Sequence, residues 1–277
     1  MENQKLIVST SPHFRSKESI HGMYWVIIAL LPSAVAGIYY YGFPAFKVIM
    51  LSVISAVFTE FLIQKLRKVK VTVSDGSAAL TGLLLAMTIP PNLPFYVPIV
   101  GSVFAIAIGK QVFGGLGYNP FNPALIGRAF LLAAWPVPLT TGWLAPSSAT
   151  GVSGINQGEL VNTLQQTNNE VLIDALSSAT PLNLLKQTFT GIQNGEITRE
   201  FGDRILEMLY SGGVLKNLIT GNIGGSIGET CAILLIAGGL FLLVKKIITW
   251  HIPVSYILTV GVFAWILGGP KGEFFTG

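Results

Sequence analysis

The chain has 277 residues, of which 51% are hydrophobic and 11% are charged, whereas a typical soluble domain carries about 25% charged residues. This composition excludes an ordinary soluble globular protein and indicates an integral membrane protein. The formal net charge is +4, and because the basic residues lie beside apolar runs, membrane topology explains them better than a nucleic-acid partner does. We therefore expect a lipid bilayer as the partner and no nucleic acid.

Seven apolar segments can be recognised with the requirement of about 20 apolar residues for one membrane crossing. In chain order they are 23–41, 45–64, 77–89, 95–113, 121–137, 226–244 and 252–268. The third holds about thirteen residues before Pro90 and Pro91, which is too short to cross, so a broken or re-entrant helix is expected there. The predicted fold class is an all-α polytopic membrane protein with about seven transmembrane or re-entrant helices.

The orientation follows from the lysines and arginines, which accumulate in cytoplasmic loops. They cluster before the first span, in "KLRKVK" at 65–70, at Lys110, and at Lys245 with Lys246. The amino terminus is therefore predicted to be cytoplasmic. The organisation predicted is a first membrane half over 1–138, a polar extracytoplasmic segment over 139–220, and the start of a second membrane half over 221–277.

Two irregular elements interrupt the membrane segments. Asp75-Gly76-Ser77 is read either as a helix N-cap and turn or as the end of a half-helix that lines a site. In "GGLGYNPFNPALIGRAF", Asn119 and Asn122 each precede a proline, so their amides either hold a polar ligand or cap the next helix. We hypothesise that Asp75–Thr81 and Gly117–Asn122 approach each other and line a buried site for an ion or a riboflavin-like cofactor.

Four ionisable side chains lie within or at the ends of the predicted spans. Glu60 and Lys47 lie near the ends of the second span, where their side chains can snorkel to the interface. Arg128 is costly in lipid unless it pairs or reaches the interface. Glu229 is expected to cap the sixth span. The single cysteine, Cys231, is expected to be a small buried hydrophobic residue.

The polar stretch "DALSSATPLNLLK", residues 174–186, is unusual in so apolar a chain. From the residues alone, Thr180 followed by Pro181 is a helix start, with threonine as N-cap and proline in the first helical position. Leu182, Leu184 and Leu185 would then form the apolar face of a short helix.

The run Asp174, Ala175, Leu176, Ser177, Ser178, Ala179, Thr180 also resembles the flavinylation motif Asp-Gly/Ala-aliphatic-Ser/Thr-Gly/Ser-Ala-Thr, in which the last threonine is joined to FMN by a phosphoester. Residues 75–130 and 225–253 are similar to the D subunit of Rnf complexes, a family related to the B subunit of sodium-pumping quinone reductase. The quinone reductase subunit carries a longer amino-terminal extension than the roughly twenty residues found here, so the Rnf relative is the better match.

This resemblance implies a membrane subunit that couples electron flow between reduced ferredoxin and NAD to movement of Na⁺ or H⁺ across the bacterial cytoplasmic (inner) membrane. Such a subunit is not catalytic alone. Its implied partners are the other Rnf subunits, A, B, C, E and G, and a flavin transferase during maturation. The implied cofactor is covalent FMN at Thr180, and a second, non-covalent riboflavin is left open.

The same resemblance assigns roles within the motif. Asp174 serves recognition or metal positioning during attachment, while Ser177, Ser178 and Ala179 give the transferase access and leave room for the phosphate. Family members continue into further spans, so we expect an incomplete chain with one and a half of two pseudo-symmetric halves. The competing interpretations are a solute channel or transporter without a redox role and a structural anchor, neither of which would carry a flavin.

Overall fold

The structure is a computed structural model that describes residues 17–141, 219–221 and 224–268. Within these ranges the secondary structure is helical and contains no β-strand, which confirms the predicted all-α class there. The helices are α1 (Lys17–Tyr41), α2 (Phe43–Leu66), α3 (Ser77–Met87), α4 (Tyr96–Ile106), α5 (Pro123–Ala134), α6 (Pro136–Thr141), α7 (Ala232–Val244) and α8 (His251–Gly268). Three short helical segments accompany them, a 3₁₀ turn at Val73–Asp75, a π-helix at Ala107–Gln111 and a 3₁₀ turn at Ile227–Glu229.

Helices α1 and α2 are the long pair. Two described segments are long and apolar enough to cross a membrane, His21–Tyr41 within α1 and the whole of α2. The break between them falls at Gly42, whose φ of 68° lies in the left-handed region that favours glycine, and Pro44 follows in the first turn of α2. The first two predicted spans are thus found, each with slightly wider bounds.

Helix α3 is a half-helix. Its 11 residues extend over roughly 16 Å at about 1.5 Å per residue, against about 30 Å of hydrocarbon core. It begins after Gly76, which has a φ of 74°, and Pro90 and Pro91 prevent its continuation. Most of α3 is buried, and it contacts α1, α2, α4 and α5. The predicted broken helix is confirmed, and it is surrounded by protein, as irregular backbone at membrane depth requires.

The contact between α2 and α3 depends on a glycine. A Cβ atom added at Gly82 would lie 2.6 Å from the backbone oxygen of Ser52 and 2.8 Å from the Cα of Val53. Glycine therefore lets the two helix backbones approach more closely than any other residue would allow, as is typical of helix pairs in membranes.

Helices α4 and α5 form the next pair. Helix α4 runs directly into the π-helix at Ala107–Gln111, and α5 packs beside it, with the rings of Phe104 and Phe130 stacked at 4.0 Å. The predicted fifth span, 121–137, is shorter in the structure because Trp135 ends α5 and Pro136 begins α6.

Helix α7 begins at Ala232 rather than at residue 226 as predicted. The difference arises because Ile227–Glu229 forms a separate 3₁₀ turn closed by Ser226 and Glu229. Glu229 therefore caps this turn and not the sixth span as expected, since the N-cap of α7 is Cys231. The backbone N–H of Ile227 donates to the oxygen of Ile89 at 3.3 Å, which joins this turn to the chain just beyond α3. Cys231, just before α7, is buried as predicted.

The outward faces of the helices are apolar. Phe58 on α2 is 60% exposed and Ile257 on α8 is 67% exposed, and many other large hydrophobic side chains are similarly open. Three charged side chains, in contrast, are buried: Glu60, Asp75 and Lys110. An apolar exterior around buried charges is the reverse of a soluble domain and fits a protein surrounded by lipid.

Candidate functional site

An ion pair is buried among the described helices. The Nζ atom of Lys110 donates to both carboxylate oxygens of Glu60, at 2.7 and 2.8 Å. The Lys110 side chain is 2% exposed and that of Glu60 is 1% exposed. Two opposite charges in such surroundings must hold each other, because either one alone would carry the full cost of desolvation.

The π-helix explains how Lys110 reaches this position. Its wider turn is closed by the hydrogen bond from Val112 N to Ala107 O at 3.0 Å, and it places both Lys110 and Gln111 in the interior. Gln111 Nε2 donates to Glu60 Oε1 at 3.0 Å, so two consecutive residues of the π-helix bind one carboxylate. Single π turns of this kind often occur at functional sites.

The start of α3 completes the arrangement. Lys110 Nζ donates to Ser77 Oγ at 2.6 Å, and Ser77 in turn donates from its hydroxyl to Asp75 Oδ1. The backbone N–H of Ser77 also donates to Asp75 Oδ1, at 2.9 Å, so the carboxylate caps the helix from two residues before Ser77. The first interpretation of Asp75-Gly76-Ser77, a turn that caps α3, is met by this contact, whereas the second, a half-helix end that lines a site for an ion or cofactor, stays a prediction.

The loop after α2 is connected to the ion pair by hydrogen bonds through Gln64. Gln64 Nε2 donates to Glu60 Oε1 at 3.0 Å and to Thr72 Oγ1 at 2.8 Å, while Thr72 N donates to Gln64 Oε1 at 2.7 Å. Arg67, which is exposed, donates to the backbone oxygen of Gln111 at 2.8 Å. The interior is thereby linked to the exposed residues 65–71.

We call Glu60, Lys110, Ser77, Asp75 and Gln111 the buried charge cluster. Its ionisable members are two carboxylates and one ammonium, which are the charged side chains found buried in the described ranges. The described residues contain no group of three His, Cys, Asp or Glu side chains that could hold a metal ion.

Two expectations about this region were wrong. Glu60 does not snorkel to the interface, because its carboxylate points into the protein and pairs with Lys110. Lys110 does not mark a cytoplasmic loop, because it is buried in that same pair. The orientation consequently depends on the remaining basic clusters alone.

The second irregular element has local contacts. Asn122 Oδ1 accepts from the backbone N–H of Ala124 at 3.0 Å and so is the N-cap of α5, while Asn119 Nδ2 donates to the oxygen of Phe121 at 2.8 Å. Asn122 is exposed and Arg128 is exposed as well. The approach of Gly117–Asn122 to Asp75–Thr81 and cofactor binding by Asn119 and Asn122 both stay predictions.

The predicted flavin site lies outside the described residues. Thr180 and the other motif residues belong to the stretch 142–218, of which the structure describes nothing. Attachment of FMN at Thr180, with Asp174, Ser177, Ser178 and Ala179 around it, therefore also stays a prediction.

One feature of the sequence points to the buried charge cluster. An ionisable residue inside an apolar span is best treated as a functional candidate with a named partner. Glu60 and Lys110 each satisfy this description, and Glu60 and Gln64 lie four residues apart on one helix face. Their partnership required knowing that α2 and α4 pack together, which periodicity does not reveal.

Comparison with known proteins shows the relatives of this chain. It is 43% identical over 269 residues to the D subunit of the proton-translocating ferredoxin:NAD(+) oxidoreductase complex of Clostridium ljungdahlii, covering 96% of this chain and 71% of that protein. It is 43% identical over 272 residues to the D subunit of the Na(+)-translocating ferredoxin:NAD(+) oxidoreductase complex of Acetobacterium woodii, covering 97% and 71%. The D subunit of the ion-translocating oxidoreductase complex of Klebsiella pneumoniae is 35% identical over 289 residues, covering 98% and 78%.

These matches confirm the resemblance drawn from the motifs. The two relatives at 43% identity are named for different ions, so overall similarity does not decide between a proton and a sodium ion. The model of the family described as NQR2, RnfD, RnfE matches residues 7–276, and the chain belongs to that family.

Proposed function

We propose that the chain is the D-type membrane subunit of an ion-translocating ferredoxin:NAD oxidoreductase complex, and that its membrane helices take part in moving the cation. It acts together with other subunits of that complex in a bacterial cytoplasmic membrane. It is a component of the enzyme and has no catalytic activity by itself.

The observation that carries the translocation role is the buried charge cluster. Two carboxylates and an ammonium lie beside a half-helix in a protein whose exterior is apolar. Ionisable groups in such surroundings are costly, and in membrane proteins they mark ion pathways and proton relays. Replacing a buried ion pair by apolar residues is often neutral or stabilising, so a chain that served only as an anchor would gain little from Glu60 and Lys110.

The redox role is proposed on the motif that ends at Thr180. A flavin joined through its phosphate to a side chain keeps its redox-active ring and cannot dissociate, which suits an electron relay. The cofactor performs the electron chemistry when bound, and the protein fixes its position and electrostatic surroundings. Asp174 is assigned to recognition during attachment, and a transferase must reach the loop.

Inside-out membrane vesicles test the proposal. Vesicles from cells that make the whole complex, with or without this chain, receive reduced ferredoxin and NAD⁺, and both NADH formation and uptake of H⁺ or Na⁺ are recorded. We expect both activities to depend on the chain.

The variant Glu60→Gln/Lys110→Met, which removes both charges together, should assemble and lose cation uptake. The matched control is Ser255→Ala, which removes an exposed hydroxyl of α8 that donates only to Ile252 O within its own helix. Uptake at the wild-type level in the double variant would show that the ion pair is structural and would contradict its role in translocation.

A further inference from the structure

The start of α1 contacts both the loop that follows α2 and the end of α7. Tyr24 Oη donates to the backbone oxygen of Ser74 at 2.7 Å, which connects α1 to that loop. In the same turn of α1, the centroid of the Trp25 ring lies 4.6 Å from Nζ of Lys245, the residue directly after α7. The basic clusters at 65–70 and 245–246 therefore lie at the same end of the helices, on the side predicted to be cytoplasmic.

This end of the helices is strongly basic. The basic side chains exposed there are Lys65, Arg67, Lys68, Lys70, Lys245 and Lys246. Of the acidic residues whose side chains the structure describes, Glu60 and Asp75 are buried, and Glu229 precedes α7 and so lies at its opposite end. Within the described part of the chain, acidic side chains do not balance this charge, and the surface favours an anionic partner.

Helices α2 and α7 end in the same way, each with a lysine in the left-handed backbone region. Lys68 has a φ of 54° and Lys246 a φ of 56°. After Lys246, the N–H of Ile247 donates to Leu242 O at 3.1 Å, which closes α7 in an arrangement that glycine usually completes. Glycine would adopt this backbone at no steric cost, so the lysine side chain has a reason beyond the helix end. Attraction to the helix C-terminus is the competing reason.

We propose that Lys245 and Lys246, together with Trp25, bind the phosphate headgroup of an anionic phospholipid where α1 and α7 pack together. The rings of Trp25 and Phe241 lie 4.6 and 6.0 Å from Lys245 Nζ and hold the ammonium beside this seam. An ammonium has three N–H donors, and neither lysine has a hydrogen bond or ion pair from Nζ to another described residue. Donors therefore remain for a phosphate. The inference does not depend on the redox role.

The packing of α1 against α7 fixes the position of these groups. A Cβ atom added at Gly238 would lie 2.5 Å from the backbone oxygen of Ala29, so the two helices approach closely. One turn further along each helix, the rings of Trp25 and Phe241 are in contact, with centroids 5.7 Å apart. The lysines thus extend from a packed seam, and little freedom is lost when a headgroup binds.

The surroundings of the two lysines favour a lipid over an acidic protein. Val244, directly before them, is 80% exposed, and Leu240, one turn earlier, is 56% exposed. The charges therefore lie at the border between an apolar, lipid-facing surface and water, which is the level of the headgroups. Tryptophan is enriched at this level, and basic pockets between membrane helices bind anionic headgroups. The acyl chains of the same lipid can pack along Leu240 and Val244.

The experiment uses the whole complex in phosphatidylcholine nanodiscs that contain a trace of photoreactive phosphatidylglycerol. After illumination, the label on this chain is assigned to chymotryptic peptides, because the loss of a lysine does not change their cleavage sites. We expect label on the peptides from the start of α1 and the end of α7. Unlabelled phosphatidylglycerol should compete for the site, whereas additional phosphatidylcholine and soluble glycerol phosphate should not.

Lys245→Gln/Lys246→Gln should lower the label at the seam on the order of tenfold or more, since each lysine near an anionic headgroup contributes roughly fivefold. Lys245→Arg/Lys246→Arg keeps both charges and is the conservative rescue. Lys47→Gln is the matched control, because it removes a lysine near the start of α2, at the opposite end of that helix from the basic loop. The label at the seam should be unchanged in this control.

The variant Lys246→Gly separates lipid binding from capping of the helix. It removes the ammonium and supplies the residue that the left-handed backbone prefers. Without anionic lipid, the melting temperature of the complex should equal that of the wild type or exceed it. The label at the seam should nevertheless fall about fivefold. An unchanged label in this variant would show that Lys246 only ends the helix.

Four results would overturn the lipid site. The first is a wild-type label in the double glutamine variant, and the second is an equal loss in the double arginine variant, which would show that charge is not recognised. The third is competition by phosphatidylcholine or glycerol phosphate as strong as that by phosphatidylglycerol, which would indicate apolar contact or a site for free phosphate. The fourth is an unlabelled seam whose lysines a carbodiimide joins to carboxylates of another subunit, which would assign the surface to an acidic protein.

Discussion

Glu60 and Lys110 are separated by 50 residues and meet as a buried ion pair in which one ammonium contacts both oxygens of one carboxylate. Helix α2 supplies the acid and the π-helix after α4 supplies the base. Ser77, at the start of the half-helix α3, also accepts a hydrogen bond from the Lys110 ammonium. The Lys110 ammonium therefore connects the π-helix to α2 and to α3.

This geometry predicts that removing one charge is worse than removing both. Lys110→Met leaves the Glu60 carboxylate buried without its cation and should cost about 3–5 kcal/mol of stability. The double variant Glu60→Gln/Lys110→Met should cost clearly less, because no uncompensated charge remains. The melting temperature of the detergent-solubilised complex measures the difference. If the double variant melts below the single one, the charge argument is wrong.

The close contact of α2 and α3 predicts a sensitive glycine. Gly82→Ala should destabilise the membrane domain by about 1–3 kcal/mol, because overpacking forces the backbones apart. Gly239→Ala, in α7, is the control, since a Cβ atom there would have nothing within 4 Å. Thermal unfolding of the two variants should separate them, with Gly239→Ala equal to or more stable than the wild type. Equal destabilisation would contradict the close approach.

The role of Asn122 can be separated into capping and binding. As N-cap of α5, its replacement by alanine should cost about 1 kcal/mol, and replacement by aspartate or serine should restore most of that. Bound non-covalent flavin, measured by fluorescence after denaturation of the purified complex, should stay unchanged if Asn122 is only a cap. Loss of flavin in the aspartate and serine variants would instead support the predicted cofactor site.

The predicted orientation places residues 139–220 outside the cell. A cysteine introduced at Asn168, in a background with Cys231→Ala, should react with an impermeant thiol reagent in intact cells. The expectation comes from the lysine and arginine asymmetry of the remaining basic clusters. Labelling that appears only after the cells are lysed would reverse the orientation, because the reagent would then have needed access from the cytoplasm.

The sequence predicted the helical elements well where the reasons were local. Pro90 and Pro91 indicated the end of α3, and Asn122 before Pro123 indicated the start of α5. The bounds of α7 were less accurate because Ser226 and Glu229 close a separate 3₁₀ turn, and α7 begins only at Ala232. Local chemistry thus predicted the presence of each element more reliably than its limits.

The buried charge cluster was beyond local reasoning. Glu60 and Lys110 each lie near the end of an apolar span, where snorkelling and cytoplasmic location are the ordinary expectations. Only the packing of α2 against the π-helix turns both side chains inward. The sequence marks Lys110 as an ionisable residue in an apolar span, but the π-helix leaves no distinct pattern in "SVFAIAIGKQ" that would show the side chain turning inward.

The mass of the tryptic peptide that contains Thr180 decides whether the chain carries a flavin, and so whether it can have the proposed redox role. The chain is produced in a host that supplies a flavin transferase, and the peptide is compared between the wild type and Thr180→Ala. We expect a peptide carrying FMN in the wild type and an unmodified peptide in Thr180→Ala. The membrane helices should still fold in the variant, since a lost N-cap costs only about 1 kcal/mol. An unmodified wild-type peptide, or a flavin fluorescence that persists on a denaturing gel in Thr180→Ala, would contradict the assignment of Thr180.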